Sequence, residues 1–328
     1  MIQNTLTLKQ RLVPKGRILY FDEEAHKYTD DINTIYTSTT TVIGKYHEKF
    51  DASKVEIAKA CERIGHNPRH PKYLKYAGKT AKQLLYEWDE ETIRACKKGT
   101  AKHNYLETHV KNCNGYTLNA NGFINGQIYT IDSIIKGHNY GRLSLEFFKK
   151  TGIDQKYPTI YGIIADFVNQ GFKIYAEIGV YDSGFRISGL IDILLVRGNE
   201  FIILDWKTNK APIRFESGYY DKDNNGKLLL DQFIYQDKYF YTPLSHLADS
   251  IGNHYTMQLS TYDYLVETFG FKCLGNILCH IRTIESDVIS HEEEKEEVKF
   301  LPIAYLRSEV EAMLMDNIAK CGIKQTLF

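Results

Sequence analysis

Three strand-like segments follow one another between residues 172 and 208: FKIYAEIGVYD, RISGLIDILLV and EFIILDWKT. Gly184 lies in the first turn between them, and the Gly198–Asn199 pair forms the second turn. Connections this short join neighbouring antiparallel strands. The sequence therefore predicts an antiparallel meander, and the rest of the chain must pack around that sheet.

Strand and helix patterns lie on both sides of the meander. Residues 17–30 predict a hairpin and residues 276–283 predict another strand. Helical patterns occupy residues 51–112, 255–270 and 308–320. The chain therefore combines sheet-forming and helix-forming segments.

The 328 residues contain no internal repeat and no low-complexity linker, so we expect a single domain. Residues 1–95 are expected to form an N-terminal hairpin and helical elaboration. Residues 96–285 form the core, and residues 286–328 form a C-terminal helical tail. The polar stretch 215–250, which contains DKDNNGK, predicts a loop.

Acidic residues interrupt two of the apolar strands. Asp192 lies between Ile191 and Ile193, and Asp205 and Lys207 end the next strand. Alternate residues of a strand share a face, which puts Asp205 and Lys207 on the same side, about 7 Å apart. Ionised carboxylates are rarely buried without a paired cation or a metal.

A strand-end ion pair explains Asp205 and Lys207 when the two are considered alone, because exposed ion pairs are common. Asp192, thirteen residues upstream across a tight turn, favours a functional site instead. If Asp192 faces Asp205, their repulsion requires a cation, which Lys207 supplies in part and a divalent metal supplies more fully. Carboxylate oxygens suit Mg²⁺ or Mn²⁺, and such an ion activates water for phosphodiester hydrolysis.

These residues resemble the active-site pattern of the PD-(D/E)xK nuclease superfamily, in which one strand carries an acid and the next carries acid-x-Lys. Glu177 matches the first-strand acid of the RecB-like exonuclease branch. GTAKHNYLE at 99–107 is similar to the G-T-x-x-H-x-x-x-E helix of that branch, and QLSTY at 258–262 to its Q-x-x-x-Y helix. STTTVI at 38–43 resembles a segment of freestanding phage members and mitochondrial genome maintenance exonucleases.

The resemblance covers about residues 35–285. It implies an α/β fold with a restriction-endonuclease-like core, in which helices flank a mixed central β-sheet. It also implies one or two Mg²⁺ or Mn²⁺ ions, with ligands from His103, Asp192, Asp205 and the Trp206 carbonyl.

Further roles follow from the same resemblance. Lys207 would orient the attacking water, and Glu177 would be a metal ligand or support one. Glu107 would support the metal ligands from one helical turn beyond His103. The remaining motif residues, Gln258 and Tyr262, would hold Lys207 or a DNA phosphate.

A basic stripe lies at residues 69–82, where no acid interrupts the cations. Lys and Arg neutralise phosphates and tyrosines stack on unpaired bases, so the stripe is a candidate for DNA binding. A solvated helix face with buried tyrosines explains the same pattern. The stripe comprises Arg69, Lys72, Tyr73, Lys75, Tyr76, Lys79 and Lys82.

The segment AGKT at 77–80 lacks the glycine that a phosphate-binding loop requires, because Tyr73 occupies that position. We therefore expect no bound nucleotide. The formal net charge is zero, so any contact with DNA must depend on local basic surfaces.

No secretory signal and no apolar membrane span are present in the sequence. We expect a cytoplasmic protein, in the host cytoplasm if phage-encoded, with no membrane partner. The expected function is that of a DNA exonuclease acting on single strands or duplex ends, and replication or recombination proteins are its candidate protein partners. A flap or branch endonuclease and a catalytically silent DNA-binding recombination partner are the alternatives.

The six cysteines form no C-x-x-C pair. Iron–sulfur clusters of RecB-like nucleases use closely spaced downstream cysteines, so we expect no cluster. Anaerobically purified protein should show no visible absorption of the iron–sulfur type, and such a band would contradict this expectation. The cysteines are Cys61, Cys96, Cys113, Cys273, Cys279 and Cys321.

Overall fold

The computed structural model describes most of the chain. The described residues are 16–48, 51–94, 111, 115–139, 141–223, 227–284 and 296–321, with the backbone alone at 51–53.

Ten of the described strands form one sheet, and β9 and β10 form a separate hairpin. The strands are β1 (Leu19–Asp22), β2 (Lys27–Asp30), β3 (Ile35–Ser38), β4 (Asn125–Ile128), β5 (Arg142–Leu143), β6 (Lys173–Asp182), β7 (Ile187–Arg197), β8 (Glu200–Lys207), β9 (Gly218–Lys222), β10 (Leu228–Tyr235), β11 (Lys272–Thr283) and β12 (Glu296–Ile303).

Helices flank the sheet. They are α1 (Thr39–Ile43), α2 (Asp51–Gly65), α3 (Tyr73–Tyr76), α4 (described over residues 81–94), α5 (Ile131–Ile135), α6 (Leu145–Lys150), α7 (Ile153–Lys156), α8 (Pro158–Asn169), α9 (Ile251–Glu267) and α10 (Arg307–Cys321). None of these described helices is long and apolar enough to cross a membrane.

The predicted meander is confirmed, since β6 pairs with β7 and β7 with β8, both antiparallel. Gly198 adopts a φ of +61° in the second turn, a conformation that glycine reaches without strain. Beyond β8, the pairing with β11 is parallel and that of β11 with β12 is antiparallel. The sheet is therefore mixed, as expected.

One edge of β7 is shared by two strands. The short strand β3 pairs in parallel with Ile187 and Ser188 at the start of β7. Strand β8 pairs with residues 193–197 at the other end of β7. Residues 189–192 lie between these two pairings, which makes this part of β7 the place where the sheet branches.

The two faces of the sheet bury separate cores. Phe201 and Ile203 of β8 pack into the core that includes Met257 of α9. Their neighbours Ile202 and Leu204 pack into the core formed with α8. This alternation assigns each residue of β8 to one helical layer or the other.

The N-terminal and C-terminal parts differ from expectation in their contribution to the sheet. The predicted hairpin is β1–β2, but β3 of the same region also joins the central sheet. The predicted helical tail contains strand β12 before α10. Residues 215–250 include the β9–β10 hairpin, whereas the sequence predicted only a loop.

A buried acid lies where α9 packs on β11. Asp263 is fully buried and accepts hydrogen bonds from the Asn276 side-chain amide and from the Cys273 thiol, the latter at 3.3 Å. Burial raises the pKa of Asp263 to about 7, although both hydrogen bonds act in the opposite direction. The folded protein therefore holds a proton on this group at mildly acidic pH.

The unfolding free energy should fall as pH rises from about 3.8 to about 7, because the unfolded chain releases the Asp263 proton first. Between pH 5 and pH 8 the unfolding free energy of the wild type should fall by up to about 3 kcal/mol relative to that of the Asp263→Asn variant, which lacks this titration. Denaturant unfolding of both proteins across this range measures the difference. Parallel pH profiles would contradict the prediction.

Candidate active site

Asp205 and Lys207 form an ion pair inside the protein. The Lys207 ammonium contacts Asp205 Oδ2, and the two side chains are 13% and 2% exposed. They share the α9 face of β8, while Trp206 between them packs into the opposite core. A strand-end ion pair at the surface is therefore the wrong interpretation of these two residues.

Asp192 lies beside this pair at the branch of the sheet. The last paired residues of β7 and β8 on this side are Ile193 and Leu204, and Asp192 and Asp205 are the next residues along the two strands. The Asp192 Oδ2 atom accepts a hydrogen bond from the Trp206 backbone N–H at 2.9 Å. The two acids are thus brought together, as the sequence predicted.

The proposed metal ligation by the Trp206 carbonyl stays a prediction. The contact described between the Trp206 backbone and Asp192 is made by the N–H of Trp206 and not by its carbonyl. That N–H anchors the carboxylate of Asp192 against β8.

Glu177 occupies the corresponding position on β6. Ala176 pairs with Ile193 and Ile178 with Ile191, which places Glu177 opposite Asp192. The side chain is buried, and its φ of +55° is a left-handed conformation that costs a non-glycine residue about 1–3 kcal/mol. The Tyr116 hydroxyl donates a hydrogen bond to the Glu177 carbonyl, which helps to hold this backbone.

Helix α9 covers the acids with one polar face. Tyr255, Gln258 and Tyr262 follow one another at spacings of three and four residues and therefore lie on one side of the helix. The Lys207 ammonium lies 4.7 Å from the centre of the Tyr255 ring. The Gln258 amide donates to the Tyr262 hydroxyl at 3.1 Å. The predicted Gln and Tyr are therefore in direct contact with each other.

Gly189 allows Tyr262 to lie against the branch of the sheet. A Cβ atom built on Gly189 would lie 2.2 Å from Cε1 of the Tyr262 ring. Residue 189 belongs to the part of β7 between its pairings with β3 and β8. The aromatic ring thus packs directly on the backbone beside Asp192.

Burial and neighbouring charges together set the pKa values of Lys207, Tyr262 and Tyr28. Burial alone would lower the pKa of Lys207, but the charges of Asp205 and Asp192 outweigh burial and raise it above the ordinary lysine value. Burial raises the pKa of Tyr262, and the same two acids raise it further. The pKa of Tyr28 is raised by burial and then by Tyr262 and Glu177. Lysine is charged and both tyrosines are neutral at physiological pH.

The donors suit a hard divalent cation. Glu177, Asp192 and Asp205 bring three carboxylates to one region of the sheet, where the Lys207 ammonium contacts Asp205. Mg²⁺ binds through one or two carboxylates and keeps several waters, so Asp192 and Asp205 provide a sufficient protein contribution. Among the described residues, these acids do not form a closely convergent set of three ligands.

Two predicted residues, His103 and Glu107, lie outside the described part of the chain. Their expected roles in metal binding stay predictions. The neighbouring Lys111 is described and fully buried, and its ammonium lies 2.8 Å from Glu23 Oε1.

The basic stripe is only partly free to bind phosphate. Lys72 pairs with Asp221 at 2.8 Å, and Lys79 pairs with Glu87 at 2.8 Å. Lys75 donates to the Lys222 carbonyl at 3.1 Å, whereas Arg69 and Lys82 are exposed.

The two tyrosines of the stripe are half-buried rather than displayed for base stacking. Tyr76 packs against the small cluster formed by Ala58, Cys61 and Leu84. Tyr73 begins the short helix α3. To stack on a base, as proposed, these two tyrosine side chains would therefore have to give up part of their packing.

A cleft of about 480 Å³ is lined by residues of the stripe and by the segment that follows β8. That segment begins at Asn209, two residues after Lys207, and the β9–β10 hairpin contributes further lining residues. Five cationic and two acidic side chains line the cleft together with three tyrosines and a phenylalanine. They are Lys72, Lys75, Lys210, Arg214, Lys222, Glu216, Asp221, Tyr76, Tyr219, Tyr220 and Phe233.

Three residues that contact or lie near the site residues were not predicted from the sequence. Tyr255 fixes Lys207 and donates to the Asn209 side chain at 2.6 Å. Its three-residue spacing from Gln258 was a usable signal. For Tyr28 and Tyr116 the sequence gives no such signal, because both reach Glu177 from distant segments.

No family model matches the chain, and no curated protein or solved structure matches it.

Replacing Gly189 by alanine should destabilise the protein by about 1–3 kcal/mol, because the new methyl group overlaps the Tyr262 ring. Gly162→Ala is the matched control, since that helical glycine has open space around its Cβ position and the change should stabilise by up to about 1 kcal/mol. Denaturant unfolding measures both. Wild-type stability for Gly189→Ala would refute the described packing.

Proposed function

We propose that this protein is a metal-dependent DNA nuclease of the RecB-like PD-(D/E)xK type with a restriction-endonuclease-like core. It would hydrolyse phosphodiester bonds as an exonuclease at DNA ends or on single strands, in replication, recombination or repair. The observation that carries the proposal is the grouping of the buried Asp205 with the half-buried Asp192 and Lys207 where the sheet branches.

The carboxylates of Asp192 and Asp205 are the groups that would hold one or two Mg²⁺ or Mn²⁺ ions. When bound, such an ion supplies an activated water and neutralises charge on a phosphate oxygen. Glu177 adds negative charge from the neighbouring strand. His103 would complete the ligand set by the family resemblance.

Lys207 acts as a cation rather than as a base in this proposal. Its raised pKa keeps the ammonium protonated at neutral pH, and the charge would be lost only as pH rises beyond the ordinary lysine range. A protonated lysine donates hydrogen bonds to the attacking water or to a phosphate oxygen. Tyr255 at 4.7 Å restricts where this ammonium points.

The polar face of α9 supports the same arrangement. Tyr262 packs on Gly189, and Gln258 donates to the Tyr262 hydroxyl. These contacts tie the helix to β7 beside Asp192, so the helix and both acid-bearing strands form a rigid base for the reaction. Catalytic groups need such support because small displacements lower the rate strongly.

The cleft gives a path for the polynucleotide. Its cationic side chains suit the phosphate backbone, and the aromatic groups on its walls suit unpaired bases. Tyr219 of the hairpin is 48% exposed, unlike the packed Tyr76. The hairpin therefore offers a better stacking surface than the stripe alone, and both favour a strand that reaches Lys207 through the cleft.

DNA is the partner under this proposal, with the cytoplasm as the place of action. Replication or recombination proteins would deliver the ends. Neither a nucleotide cofactor nor an iron–sulfur cluster takes part in the proposed reaction.

Asp205→Asn and Lys207→Met should each lower Mg²⁺-dependent DNA cleavage by at least about 100-fold. The first change removes a carboxylate that would hold the metal ion, and the second removes an ammonium that would stabilise charge on the reacting phosphate. Glu297→Gln and Lys299→Met are matched controls. Those two residues form an ion pair at the same spacing on β12, but they are 31% and 58% exposed. Activity of the controls should equal that of the wild type.

The assay uses end-labelled single-stranded and double-stranded linear DNA beside covalently closed circles, with Mg²⁺ or Mn²⁺. Cleavage of the linear substrates alone is the expected result, and cutting of closed circles would indicate an endonuclease. Folding of the variants is checked by circular dichroism. Folded Asp205→Asn with wild-type cleavage would refute the site, and metal-independent binding without any cleavage would indicate a silent DNA-binding protein.

A further inference from the structure

A separate group of metal-binding side chains lies at the start of α9. His47 follows α1, Asp249 immediately precedes the N-cap residue Ser250, and His254 lies in the first turns of the helix. Each offers one ligand atom, and these atoms lie within 4.8 Å of one another. None of the three belongs to the candidate active site described above.

The two histidines approach the same carboxylate. His254 Nε2 lies 2.8 Å from Asp249 Oδ1, and His47 Nδ1 lies 3.9 Å from Asp249 Oδ2. The side chains are 26%, 15% and 23% exposed for His47, Asp249 and His254. A cation and a water molecule can therefore reach the group without unfolding the protein.

Packing fixes both imidazole rings before any ion binds. The His47 and His254 rings are 4.4 Å apart and nearly perpendicular, at 86°. Phe240 packs against both rings, at 4.7 Å from His254 and 6.3 Å from His47. Ligands that are held in place lose little conformational entropy on binding a metal.

Hydrogen bonds and an ion pair also fix the polypeptide around the Asp249 carboxylate. The Asp249 backbone N–H donates to the Lys238 carbonyl at 2.9 Å, and Lys238 pairs with Glu48 at 2.9 Å. His47 Nδ1 also lies 3.0 Å from the Glu48 carbonyl, a contact that a metal bound at Nδ1 would replace. The backbone hydrogen bond at Asp249 orients that ligand residue, as contacts around protein metal sites do.

We propose that His47, Asp249 and His254 bind a transition-metal dication, with Zn²⁺ as the preferred ion. Two imidazoles and one carboxylate are a common zinc ligand set, and water completes the tetrahedron. Mg²⁺ is a poor match, because it prefers oxygen ligands.

The metal would act as a structural cross-link between two segments of the chain. It joins the segment after α1 to the start of α9, the helix that carries Tyr255, Gln258 and Tyr262. His254 lies one helical turn before Gln258, at the N-terminal end of α9. The metal would therefore fix the start of the helix next to its polar face, and its existence does not depend on the proposed nuclease activity.

The test measures metal binding to the full-length chain carrying Asp192→Asn and Asp205→Asn, with excess Mg²⁺ present. These substitutions remove competition from the candidate active site. Zn²⁺ binding is followed by calorimetry, and Co²⁺ binding by visible absorption. One tight site per chain is expected, and Zn²⁺ should raise the melting temperature.

Asp249→Asn keeps the size of the side chain and removes its charge, and His47→Ala and His254→Ala each remove one imidazole. Each change should weaken binding by at least about tenfold. His246→Ala is the matched control, because His246 also lies beside an acid, at 3.2 Å from Glu309. Control affinity should equal that of the parent chain.

Two results would overturn the proposal. One is the lack of tight Zn²⁺ and Co²⁺ binding by the parent chain. The other is a folded Asp249→Asn variant, verified by circular dichroism, that binds Zn²⁺ and gains thermal stability as the parent chain does. Either result would mean that the three residues form only a hydrogen-bonded packing cluster.

Discussion

The branch of the sheet at β7 is the constraint on which the candidate site depends. A strand edge offers one row of hydrogen-bonding groups, and here β3 and β8 divide that row between them. The residues between the two pairings are left open to side chains. Asp192 uses this freedom to accept the Trp206 N–H, and Tyr262 packs directly on Gly189. In an uninterrupted ladder the Trp206 N–H would bond to a backbone carbonyl instead of to Asp192.

The negative charge of the acids at this branch explains why tyrosines pack beside them. Of the three acids on adjacent strands, Asp205 contacts the Lys207 ammonium and Asp192 accepts a hydrogen bond from the Trp206 N–H, and Tyr28 and Tyr262 lie close to the acids. Tyrosines suit the position because they are apolar enough to be buried and remain neutral beside anions. The proposed metal would relieve the remaining charge, which makes metal affinity and the stability of this layer closely linked.

The meander, α9 and the pairing of acids were predictable because each depends on local periodicity. Strand β12 and the β9–β10 hairpin were not predictable in this way, since the acidic run HEEEKEE leads into β12 and the loop-like segment DKDNNGK separates β9 from β10. The site residues with a fixed spacing, such as Asp205 with Lys207, could be found from sequence. Tyr28 and Tyr116 could not, because only tertiary packing brings them to Glu177.

The alternation along β8 has a further consequence for the evolution of this chain. A slip of one residue in β8 would move Trp206 into the polar layer and bury Asp205 and Lys207 in the opposite, apolar core. The length of the turn at Gly198–Asn199 sets the β7–β8 register, so insertions or deletions within it would disrupt both the fold and the candidate site. Length variation among descendants should accumulate in the β9–β10 turn instead, where no core strand depends on the register.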